Sequence, residues 1–129
     1  MLRNMDKTYG YDVVVIMAGG NDLDAGAKWP YFNTTYNQIA EEAQYYGVKK
    51  VVITSIWPRW DKRFNSRARQ LEEQTEERFK QHSRVTYWSW DKRQSYVTYD
   101  GVHLRRKGYE KAITYLLAPI LWIIKRLQR

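Results

Sequence analysis

Two apolar, β-branched runs constrain the fold more than any other feature of the chain. They are "VVVIMA", Val13–Ala18, and "VVITSI", Val51–Ile56. Both are rich in β-branched residues and apolar at successive positions. Such a segment has no solvent face, as in a parallel strand covered by helices on both sides. A third run, "VTYWSW", Val85–Trp90, is aromatic and partly alternating, which suits an edge strand.

Helical periodicity fills the intervals. Thr34–Tyr46 carries an apolar stripe of Tyr36, Ile39, Ala40, Ala43 and Tyr46, closed by Gly47. Ser66–His82 carries Ala68, Leu71, Thr75 and Phe79 beneath a Glu-rich outer face. Arg106–Leu127 carries Ile113, Leu116, Leu117, Ile120, Ile124 and Leu127, with Pro119 placed to kink or divide the helix. Strand–helix alternation at this spacing predicts a single α/β domain over residues 1–129, built on a parallel sheet. Leu23–Asn33, Trp57–Asn65 and Asp91–Tyr99 read as irregular. The first two follow strand C-termini, where open α/β sheets place their sites.

The 129 residues suffice for a core without staples, and the absence of cysteine excludes disulfides, thiolate metal sites and a Cys nucleophile. A cysteine-free chain with no apolar leader in "MLRNMDKTYGYD" is compatible with a reducing, cytoplasmic setting. The most apolar tail segment, Ala112–Ile124, is too short to span a bilayer, so no transmembrane segment is expected. Charge is uneven. Residues 1–58 hold five Lys/Arg against six Asp/Glu, and residues 59–129 hold seventeen against eight. The basic half suits solvated helix faces, and it also raises nucleic acid as a partner, most locally at "WPRWDKRFNSRAR".

Two short motifs carry possible chemistry. In "GGND", Gly19–Asp22, the glycines allow a sharp turn after the first strand. Asn21 then offers a carboxamide donor to a developing oxyanion. The same residues also suit an ordinary turn. In "DGVH", Asp100 and His103 are three apart, so the carboxylate reaches the ring Nδ1–H. It fixes the tautomer, stabilises the imidazolium and leaves Nε2 for general-base work. The alternative is a capped turn with a packing histidine. No third His or Cys lies near enough in sequence to suggest a metal site, and no cofactor motif is present. Trp29, Trp57, Trp60 and Trp90 fall in or beside loops at the carboxyl edge, suited either to an apolar substrate wall or to packing.

Together, "GGND" and "DGVHLRRKGY", with "VVITSIWPR" between them, resemble the SGNH or GDSL-type hydrolases. These are esterases and lipases on a flavodoxin-like α/β fold. The likeness extends from Tyr9 onward. It implies a three-layer, flavodoxin-like sheet, here reduced to about three strands, and hydrolysis of a small ester through an acyl-enzyme. His103 becomes the base, Asp100 its orienting partner, Asn21 an oxyanion donor and Gly19 the shaper of the turn. Asp22 holds the turn. The family's nucleophile, a serine in Gly-Asp-Ser on the first strand, and its second oxyanion block, a glycine, have no counterpart in this sequence. Ser55, at a strand end, is the least remote substitute. The resemblance therefore implies the C-terminal portion of such a domain, with little activity by itself. The strand Val13–Ala18 would then be an exposed edge that favours self-association. A non-catalytic binding or assembly module, using that edge or the basic half, is the alternative.

Overall fold

The computed structural model describes residues 12–89, 100, 103 and 106–127. The β-branched runs form β1 (Val13–Ile16) and β2 (Lys50–Thr54), and the aromatic run forms β3 (Val85–Trp88). All pair in parallel in the order β1-β2-β3, with Val14 opposite Val51 and Val51 opposite Val85. Both outer strands are edges among the described residues. Each strand stops before its expected end: Met17, Ala18 and Ile56 shape the loops above β1 and β2, and Ser55 keeps one cross-strand bond, its N–H donating to the Trp88 carbonyl at 2.8 Å. Trp90 and Asp91–Tyr99 lie outside the described residues.

The pleat explains the layers, since alternate side chains point to opposite faces. Val14, Ile16, Val51, Ile53, Val85 and Tyr87 face α2 (Trp29–Tyr45) and α3 (Lys62–Phe79). From these helices come the buried Phe32, Tyr36, Ile39, Ala43, Phe64, Leu71 and Phe79. Val15 and Trp88 face the other way, against Ala112 and Leu116 of α4 (Arg106–Leu127). The sheet thus carries helices on both sides, as the sequence pattern predicts.

Three departures have local causes. Gly20–Asp24, at the start of the loop region, is a short helix, α1, capped by Gly19 with φ +110°. An α2 starting at Thr34 is corrected to one starting at Trp29, because Pro30 sits in its first turn, where a fixed φ and a missing N–H cost nothing. An α3 starting at Ser66 is corrected to one starting at Lys62. Asp61 caps it, accepting from the backbone N–H groups of Arg63 and Phe64 at 2.9 and 3.2 Å.

The fourth helix departs in its facing. α4 runs through Pro119 as one element, and its buried strip is Ala112, Leu116 and Ile123. Ile113 and Leu117 of the expected stripe are 55% and 48% exposed, in line with Leu121 at 55%. The helix is apolar over more of its circumference than a three-strand sheet can cover. Among the described residues no helix is long and apolar enough to cross a membrane.

Candidate functional site

A cleft of about 510 Å³ opens beyond the carboxyl ends of β1 and β2. Its floor and near wall are Met17–Asp22 and Thr54–Trp57, and Arg59 and His103 complete it. Asn21 and His103, far apart in sequence, thus line one cavity.

The Gly19–Asp22 side is anchored in the core. A Cβ on Gly19 would lie 3.4 Å from the Phe32 ring, and Leu23, directly after the turn, is 4% exposed. Arg67 Nη1 donates to the Leu23 carbonyl at 3.0 Å, tying α1 to α3. Asn21 is exposed at the top of this support and faces the cleft. Its position suits a carboxamide donor to an oxygen held in the cavity.

The His103 side is held locally. Asp100 Oδ1 accepts the His103 backbone N–H at 2.7 Å, and Oδ2 meets ring Nδ1 at 2.6 Å. One carboxylate thus fixes both the main chain and the imidazole, and the proton shared with it belongs on Nδ1. The basic lone pair is then on Nε2. His103 and Asp100 side chains are 60% and 37% exposed. Asp100 stands behind the histidine and does not line the cleft. Tyr109, early in α4, stands edge-on to Trp57 of the cleft wall, with ring centroids 5.8 Å apart.

The other sequence candidates separate clearly. Trp57 lines the cleft, whereas Trp29 packs against the α2–α3 core beside Tyr36, and Trp60 is 70% exposed outside the cavity. Ser55 is 7% exposed in the cleft wall, and its hydroxyl is hydrogen-bonded to the Tyr87 phenol. Burial, then the neighbouring Glu72 carboxylate, holds that phenol protonated far above its ordinary range. Among the described residues no group of three or more His, Cys, Asp or Glu side chains is placed to hold a metal ion.

The charged cleft residue that sequence did not single out as a site residue is Arg59. Arg59 follows the strand-terminal Trp57-Pro58 and reads there as one cation in a basic, aromatic stretch. In the fold its side chain is 10% exposed, with the guanidinium 3.9 Å above the Phe64 ring. The only available signal was its place directly after a strand-end loop.

No protein-family model and no curated protein matches this chain.

Proposed function

We propose that this cleft is the base-and-oxyanion half of a serine-esterase site of the SGNH type. The observation that carries the reading is that Asn21 and His103 line one cavity while Asp100 holds the Nδ1 side of the histidine. In that chemistry Nε2 takes the proton of a nucleophilic hydroxyl, Asp100 keeps the ring oriented, and Asn21 donates to the tetrahedral oxyanion. The substrate is a small carboxylic ester. A Gly-Asp-Ser nucleophile is absent from the sequence, so the chain by itself turns over little.

The test pairs binding with turnover. Titration with ethyl butyrate should move the Asn21 carboxamide and His103 ring signals together in NMR spectra, and Asn21→Ala should weaken the effect. Hydrolysis of 4-nitrophenyl butyrate should stay near the rate of free imidazole. Unmoved Asn21 and His103 signals would contradict the reading. Rapid turnover abolished by His103→Ala would contradict the missing nucleophile.

A second reading, assembly through a second copy of the chain, is favoured by one specific arrangement. β1 is an edge strand among the described residues, and Ile113, Leu117 and Leu121 form an exposed apolar row on α4. Sedimentation velocity should show concentration-dependent association that Leu117→Lys weakens. A monomer at all concentrations, unchanged by that substitution, removes this reading.

A further inference from the structure

Arg59 is built into its position from both sides. The Asn65 carboxamide accepts from the Arg59 backbone N–H at 2.8 Å and donates to its carbonyl at 2.7 Å. Asn65 lies in the first turn of α3, behind the Asp61 cap, so the loop is fastened to a helix. The guanidinium lies between the Phe64 ring below and the Gly20 backbone above. A Cβ on Gly20 would come within 2.9 Å of Nη2.

Among the described residues this guanidinium lacks a hydrogen-bond acceptor. Its ion-pair partner Asp24 stands 3.8 Å away, beyond hydrogen-bond range, with a carboxylate 62% exposed. The guanidinium has no hydrogen bond to any described residue, although its side chain is nine-tenths buried. Other arginines are satisfied: Arg67 by the Leu23 carbonyl, Arg78 by Asn37, and Arg84 by the Val48 carbonyl. Most of the side chain is buried while the guanidinium lines the cleft, and a guanidinium so placed suits a two-pronged contact with a carboxylate or phosphate. The cavity that Arg59 lines also holds Asn21 and His103, with the exposed Asp22 on the same wall.

We infer that Arg59 makes this cleft selective for an ester that also carries an anionic group, with the guanidinium binding the anion while Asn21 and His103 address the ester. The inference rests on the esterase reading for the reacting group, and on Arg59 alone for the charge. Carboxylate and phosphate share this chemistry.

The experiment titrates the isotope-labelled chain with monomethyl succinate, dimethyl succinate and inorganic phosphate. Monomethyl succinate should shift the Arg59 Nε–H and Asn21 carboxamide signals together, and should bind about tenfold more tightly than the uncharged diester. Arg59→Gln should erase that preference. Asp24→Asn removes a competing carboxylate from an exposed position and should tighten monomethyl succinate. Phosphate that displaces monomethyl succinate supports the inference, and its relative affinity identifies which anion the site favours. Equal binding of both esters with Asn21 responding overturns the charge selectivity and leaves the esterase reading standing. A preference for the monoester that moves Arg59 but neither Asn21 nor His103 overturns the esterase reading instead. A preference that survives Arg59→Gln, or no response to any probe, overturns the inference outright.

Discussion

The chain has two histidines, and they are wired in opposite senses. His82, between α3 and β3, uses Nδ1 as an acceptor for the backbone N–H groups of Arg84 and Val85, at 3.1 and 3.0 Å. Its ring stands edge-on to Phe79, and burial, then Arg78, Lys50 and Arg84, favours the neutral form. His103 instead points Nδ1 at the Asp100 carboxylate. In one ring Nδ1 carries a lone pair, in the other a proton. His82 therefore closes a turn and gains nothing from charging. His103 presents Nε2 at the cleft with the Asp100 carboxylate behind the ring, the arrangement the proposed base role requires. Residue type alone does not separate structure from chemistry here; the partner of Nδ1 does.

Removing the structural ring should have the largest effect on stability. His82→Ala leaves two backbone N–H groups at the entry to β3 without their acceptor, which should cost about 1–3 kcal/mol in urea denaturation. The pH dependence is the next contrast. The His82 pKa is lowered in the folded state from its ordinary 6.5, so the unfolded chain binds the proton more readily. Its stabilising contribution is complete above that ordinary value. It declines as pH falls below it and levels off once the folded-state pKa is passed. The difference in stability between the wild type and His82→Asn, which keeps an acceptor but does not titrate, should therefore shift in favour of the variant between pH 7.5 and 5.5. An unchanged difference removes His82 as a source of acid sensitivity. The smallest effect on stability belongs to His103→Ala. That side chain is 60% exposed and its ring is held by the Asp100 carboxylate, so the change should stay within about 0.5 kcal/mol. A much larger loss would mean that His103 is structural after all.

How much of this was legible depends on whether the cause is local. β1 and β2 are readable because continuous β-branched runs have one comfortable environment, the middle of a covered parallel sheet. The Asp100–His103 pair is readable because three residues suffice to close it. α1 and the first turn of α2 are obscured by Gly, Asp and Pro, which read as loop until Gly19 is seen as a left-handed cap and Pro30 as a first-turn residue. The facing of α4 is hidden because too many of its positions are apolar, and only the width of the sheet decides which of them are covered. Arg59 is the clearest tertiary case. Nothing in a basic stretch marks one arginine until Phe64, Gly20 and Asn65 close around it. The shared cleft is likewise a product of topology, since it joins a turn after the first strand to one before the last helix.

The wiring of His103 distinguishes a base from a packing ring, and nitrogen-15 NMR of the imidazole reads it directly. At a pH where the ring is neutral, the proton should reside mainly on Nδ1, against the usual preference of a free histidine. Asp100→Asn should return it toward Nε2 while leaving the signals of His82 unchanged. A wild-type ring protonated mainly on Nε2 and indifferent to Asp100→Asn would contradict the claim that this cleft holds an oriented general base.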